Sequence, residues 1–281
     1  MGSMKSEIID LSDWLSTPPG AYLLAWERAQ FALAVSDVFG YHALQLGLPK
    51  LDALQANRMP HKWLALPALL GQHPALPSQE DLPGQILPDC VGSYRAALFA
   101  DSAALPFPES SLDMVALPHT LELCGDPHSA LREVARVLVP EGRVVISGFN
   151  PASLWGLRQR RDHFYQRFGR DALFLPGAGE YIGYWRLRDW LRLLDFDVES
   201  AHFGCYRPAL GNQKWLERFD WMDRAGKRWW PIFGAVYFLV AVKHVRGMRL
   251  LEPGWKKQKF PAVAPAIATN KSQVSNSPKQ S

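Results

Sequence analysis

Residues 105–151 read LPFPESSLDMVALPHTLELCGDPHSALREVARVLVPEGRVVISGFNP and alternate between strand and helix signals. The runs 112–117 and 143–147 are short, apolar and bounded by turn residues, as is typical of strands covered on both faces. Between them, Asp126 at an N-cap position and Pro127 at the first helical position predict a helix start. A strand, a helix and a second strand in this order predict a parallel sheet with helices packed against it.

The same alternation extends outward along the chain. Further buried strands are predicted at 43–46, 61–66, 94–99, 197–201 and 235–242. Helices are predicted from Thr17 to Gly40, over 184–194 and over 215–228. The pattern indicates an α/β fold, in which ligands bind at the carboxyl ends of the strands.

Composition excludes several classes of protein. The formal net charge is +4 and the pI is about 9.0. The excess lies after Glu252, where lysines but no acidic residues occur, so we expect no basic face for nucleic acid. The three cysteines are widely spaced, so neither a disulfide framework nor a metal site is expected. A reducing, cytoplasmic setting is the simplest interpretation.

The chain is expected to divide into three parts. Residues 1–19 are interpreted as a leader, of which residues 1–4 look like a cloning scar. Residues 20–253 form the predicted domain, and 254–281 have the composition of a disordered basic tail. The apolar run 229–242 is too short to span a membrane and is interpreted as a buried strand with its preceding turn.

Residues 105–151 resemble the class I S-adenosylmethionine-dependent methyltransferases, particularly the type 11 group. The resemblance is carried by LPF at 105–107, LDMV at 112–115, HTLE at 119–122 and RVL at 136–138. It implies a three-layer, Rossmann-like fold with a seven-stranded, mostly parallel sheet whose last strand is antiparallel. It also implies S-adenosylmethionine as cofactor and a small-molecule methyl acceptor.

Two features of that family are missing. Its first loop reads D/E-x-G-x-G-x-G, where glycines let the backbone approach the cofactor. Here Gln45-Leu46-Gly47-Leu48-Pro49 has one glycine and no acid. The second strand, at 63–67, also ends without the carboxylate that would hold the ribose.

The resemblance assigns cofactor contacts to Gly47, Asp101, Ser102 and His119. Asp101 would accept a hydrogen bond from the adenine amino group, although an aspartate after a strand is also common in turns. His119 would be a catalytic general base; its alternative is a partly buried histidine bonded to backbone. Glu122 competes for the role of base, with a surface-helix position as its alternative.

The leading function is therefore a methyltransferase acting on a small, lipophilic molecule. One alternative is a non-catalytic binding or regulatory protein with the same fold, and a lower one is a nucleic-acid methyltransferase. The loop at 177–180 is expected to cover the substrate site. Trp229 and Trp230 suggest peripheral membrane contact, although the start of a folded strand would also explain them.

Overall fold

The computed structural model describes residues 11–67, 96–166, 174–176 and 181–244. The chain divides into two compact units, Met1–Val245 and Arg246–Ser281, and every described residue belongs to the first. The expected tail, the loop at 177–180 and the boundary at 253 lie outside the described residues. Within the described part, no helix is long and apolar enough to cross a membrane.

One seven-stranded sheet forms the centre of the fold, in the order β3-β2-β1-β4-β5-β7-β6. All neighbouring strands pair in parallel except those that flank β7, which pairs antiparallel with both β5 and β6. The predicted fold class is thus confirmed. The strands are β1 His42–Leu46, β2 His61–Pro67, β3 Ala96–Ala100, β4 Leu112–Pro118, β5 Leu138–Phe149, β6 Phe196–Gly204 and β7 Val236–Lys243.

Besides helical residues 11–14 and a 3-10 helix at Pro231–Phe233, seven α-helices of the described part connect and flank the strands. They are α1 Pro18–Ser36, α2 Thr120–Leu123, α3 Pro127–Val137, α4 Leu154–Gln166, α5 Tyr184–Leu193, α6 Gln213–Arg218 and α7 Trp221–Trp229. The N-cap prediction for α3 is confirmed, because the Asp126 carboxylate accepts hydrogen bonds from the amides of His128 and Ser129. The single helix predicted over 215–228 is wrong: the chain turns at residues 219–220 and forms two.

Helix α1 packs on β5 and β7 through residues spaced four apart. Leu23, Phe31 and Val35 are buried, and Glu27 lies on the same stripe with none of its surface exposed. Residues preceding α1 also belong to the folded unit, since Leu11 is only 1% exposed. The folded region therefore begins before residue 20.

The connection from β1 to β2, residues 47–60, contains no helix. The buried amide of Gln45 organises it: Nε2 donates to the carbonyls of Gly47, Leu48 and Leu51. Its Oε1 accepts the amide hydrogen of Ala53. The Gln45 side chain thus provides hydrogen-bond partners for backbone groups of a connection that has no helix to satisfy them.

We predict that Gln45→Leu lowers the free energy of unfolding by about 2 kcal/mol, because it leaves several buried backbone groups without partners. Gln55→Leu, at an exposed position of the same connection, should change it by less than about 0.5 kcal/mol. Urea denaturation of both variants measures the difference. Equal losses would show that the Gln45 hydrogen bonds do not hold the connection.

Candidate functional site

A cluster of three charged side chains lies where β4 ends. His119 follows the strand with φ 52°, a left-handed conformation that is costly for a residue other than glycine. Its Nδ1 lies 2.8 Å from Glu122 Oε2, and its Nε2 lies 2.9 Å from Glu27 Oε1. His119 and Glu27 have no exposed surface, and Glu122 is 3% exposed. Both ring nitrogens of His119 therefore face carboxylates in the protein interior.

Glu122 connects this cluster to strand β5 by a hydrogen bond. Its Oε1 accepts the amide hydrogen of Phe149, the last residue of β5. The ring of Phe149 packs 4.4 Å from that of His119, centroid to centroid. The expected surface position of Glu122 is wrong, because α2 is a single turn buried on every side.

The electrostatics of the cluster oppose a general-base role for His119. Burial alone lowers the pKa of His119, but the charges of Glu27 and Glu122 outweigh it and raise that pKa to about 10. Burial also raises the pKa of Glu122. A histidine with this pKa already carries its second proton at neutral pH and cannot accept another. The alternative interpretation of His119 as a buried histidine is therefore favoured, but its partners are carboxylates rather than backbone groups.

Glu27 is the member of the cluster whose bonding is least complete. Its contact with His119 is close, but neither Glu27 oxygen accepts a well-directed hydrogen bond from a described residue. Burial, and after it the nearby Glu27 carboxylate, raises the pKa of the Cys205 thiol. Glu27 is therefore held mainly by charge attraction to the imidazolium.

We predict that Glu27→Gln lowers the free energy of unfolding by about 3 kcal/mol, because the buried imidazolium loses one of its two counter-charges. Glu199→Gln removes an exposed carboxylate paired with Arg143 and should cost no more than about 1 kcal/mol. Chemical denaturation at neutral pH compares the two. A loss for Glu27→Gln no larger than for Glu199→Gln would contradict a charged cluster.

Gly47 begins the turn after β1 with φ 70°, which explains the glycine. The Gly47 amide donates a hydrogen bond to the carbonyl of Ala65. The Thr120 hydroxyl donates a hydrogen bond to the carbonyl of Leu46. A β-carbon at Gly47 would meet only Thr120 Oγ1, at 3.6 Å. The glycine thus serves the backbone conformation, and its amide is already used within the sheet.

Asp101 and Ser102 form a turn at the end of β3. The Asp101 carboxylate is exposed, and its Oδ1 accepts the amide hydrogen of Ala103. Burial raises the pKa of the Cys124 thiol, at the end of α2, to about 12, and the Ser102 side chain acts against that rise. The turn therefore contacts the segment that leaves β4.

The residues present would suit S-adenosylmethionine at one end only. At the adenine end that the family resemblance implies, the Asp101 carboxylate is exposed and could accept a hydrogen bond from a base, whereas the amides of Ala103 and Ala104 already donate within the turn. At the methionine end, Gln45 occupies the position of the motif's acid, and the buried side chains of Leu48, Leu51 and Leu54 fill the connection that follows. No carboxylate ends β2.

All the sequence-predicted site residues lie at the carboxyl edge of the sheet, but in two groups. His119 and Gly47 follow the paired strands β4 and β1, whereas Asp101 and Ser102 follow β3, beyond β2. Sequence reasoning missed Glu27 as a site residue. The sequence signal that could have identified Glu27 is its position on the apolar stripe of a helix, because a glutamate buried there requires a partner for its charge.

Within the described residues, no group of three or more His, Cys, Asp or Glu side chains is arranged to hold a metal ion.

Known proteins share both sequence and fold with this chain. A type 11 family model described as "Methyltransferase domain" matches residues 91–146. The uncharacterized protein YafS of Escherichia coli (strain K12) is 42% identical over 102 residues, which are 36% of this chain and 40% of YafS. A malonyl-[acyl-carrier protein] O-methyltransferase of Halorhodospira halophila is 42% identical over 59 residues, 21% of this chain and 20% of that enzyme. The chain spans less than half the length of either relative.

Among solved structures, a chain from the complex of a Haloferax volcanii methyltransferase-family protein with the Trm112 methyltransferase activator superposes with a TM-score of 0.53. It is 16% identical, and the match covers 85% of this chain and 97% of that one. At this identity the likeness concerns the fold. In sequence, the resemblance to type 11 methyltransferases lies in residues 91–146.

Proposed function

We propose that this protein is an S-adenosylmethionine-dependent methyltransferase acting on a small, lipophilic molecule. The observation that carries the proposal is the turn after β3, where Asp101 presents an exposed carboxylate at the carboxyl edge. The matched family segment, residues 91–146, includes this turn. Ligands in open α/β sheets bind along that edge, which supports a cofactor site there.

The chain's own residues would act by binding and orientation. Asp101 would accept a hydrogen bond from the adenine amino group, and the Ser102 amide would contact the ring. When bound, the cofactor supplies an electrophilic methyl group for in-line transfer to a nucleophile. His119 would contribute as a positioning residue, since with Glu27 and Glu122 it joins α1 to the ends of β4 and β5. Such transfers depend mainly on alignment of the reacting atoms.

A lipophilic acceptor is supported by the aromatic residues packed behind the cluster. Phe149 contacts Trp14 and Tyr181 edge to face, at 5.7 and 5.5 Å between ring centroids. The charges nearly balance before Glu252, so no basic face for nucleic acid is expected, which keeps a nucleic-acid methyltransferase the weaker alternative. The named relative from Halorhodospira halophila methylates a malonyl-acyl carrier protein, an acyl compound.

We predict that S-adenosylmethionine or S-adenosylhomocysteine raises the melting temperature of the protein. A ligand at one hundred times its Kd adds about 2.7 kcal/mol of stability when it binds only the folded state. Asp101→Ala should abolish most of the shift, because it removes the side-chain acceptor for the adenine amino group. Asp197→Ala, at an exposed position where β6 begins at the opposite edge, should retain it.

A non-catalytic protein with the methyltransferase fold is the second candidate, and one observation favours it. The Gln45 side chain hydrogen-bonds to backbone groups of the connection after β1, so few of those groups remain to bind a methionine moiety. No thermal shift up to millimolar ligand would contradict the enzyme proposal and support this candidate. A shift that Asp101→Ala leaves unchanged would locate the ligand elsewhere.

A further inference from the structure

An exposed apolar segment lies between β6 and β7, on the side of the sheet where the parallel strands end. Residues 229–233 are all exposed and apolar, and Trp229 has 71% of its surface accessible. We call these five residues, Trp229, Trp230, Pro231, Ile232 and Phe233, the aromatic tip. The strand predicted to bury the tryptophans begins only at Val236. A run of exposed apolar residues this long is unusual on a soluble protein unless it binds something.

The backbone of the aromatic tip is held by the domain behind it. The Asn150 amide donates to the carbonyls of Ile232 and Gly234, at 2.7 and 2.9 Å. The Tyr206 hydroxyl donates to the carbonyl of Pro231, at 2.8 Å. Because these hydrogen bonds hold the main chain, the apolar side chains of the aromatic tip stay exposed to solvent.

Positive charge surrounds the aromatic tip. Helix α7, which leads into it, exposes Arg224, Lys227 and Arg228, whereas its Gly226 faces inward against Tyr206. Two nearby carboxylates are already paired, because Arg207 contacts both Asp220 and Asp223. The basic side chains on α7 are therefore not neutralised by these acids.

We propose that the aromatic tip inserts into the headgroup region of an anionic lipid membrane. Indole rings partition into that region, and flanking arginines and lysines are attracted to acidic headgroups. A protein partner would have to desolvate the three cations, whereas a membrane surface leaves them in water beside acidic headgroups. A second copy of this chain would bring like charges together. This inference does not depend on the proposed methyl transfer.

Co-sedimentation with vesicles tests the proposal on the full chain. The vesicles are phosphatidylcholine alone, or with about one quarter phosphatidylglycerol to supply negative charge. We expect binding to the anionic vesicles that salt weakens and that neutral vesicles do not match. Trp229→Ser/Trp230→Ser should reduce it at least about tenfold, because two large apolar side chains are lost.

The matched control is Phe39→Ser/Tyr41→Ser, two exposed aromatics before β1 at the opposite edge, which should leave vesicle binding unchanged. Both double variants retain the lysine-rich tail after Glu252. Undiminished binding by Trp229→Ser/Trp230→Ser would assign the binding to charge elsewhere and overturn the proposal. Absence of vesicle binding, or binding to single-stranded DNA that the same variant loses, would also overturn it.

Discussion

The contact between the His119 imidazolium and two buried carboxylates is the constraint on which the carboxyl edge of this sheet depends. Removing one partner of such a cluster leaves a charge in a medium that solvates it poorly, which is why the three residues must remain together. Glu27 lies on α1, whereas His119 and Glu122 follow β4. Glu122 also accepts a hydrogen bond from a backbone amide of β5. The cluster therefore fixes the position of the first helix against two central strands.

The segment that matches the methyltransferase family model is only one part of the fold. The match, residues 91–146, covers β3, β4, α3 and most of β5, including the turn at Asp101. The region outside the match contains α1, β1 and the connection after β1, which the Gln45 side chain holds by hydrogen bonds. Glu27 and Gln45 are two buried polar side chains of that region.

Much of the fold could be predicted from the sequence because its strands are short apolar runs between clear breakers. The limits of β1, β2 and β4 were predicted within one residue. Strand β5 begins at Leu138 rather than at 143, because residues 138–142 join it through an irregular pairing with β4. Local signals cannot report such pairing.

The site was less predictable because its contacts join distant parts of the chain. His119 and Glu122 are three residues apart, but Glu27 is far from both in sequence, and no local pattern pairs them. The burial of Glu122 was also hidden, because a one-turn helix has no periodicity to reveal its covered face. The roles of Gly47, Asp101 and Ser102 came from the family resemblance and remain predictions.

The charge state of His119 tests this account most directly. Nitrogen-15 NMR of histidine-labelled protein distinguishes a doubly protonated ring from either neutral tautomer, and comparison with His119→Gln assigns the signal. Because the pKa of His119 is raised to about 10, both ring nitrogens should remain protonated across the range in which ordinary histidines titrate. A neutral ring at pH 7, or a titration near the ordinary value of about 6.5, would contradict the buried charged cluster.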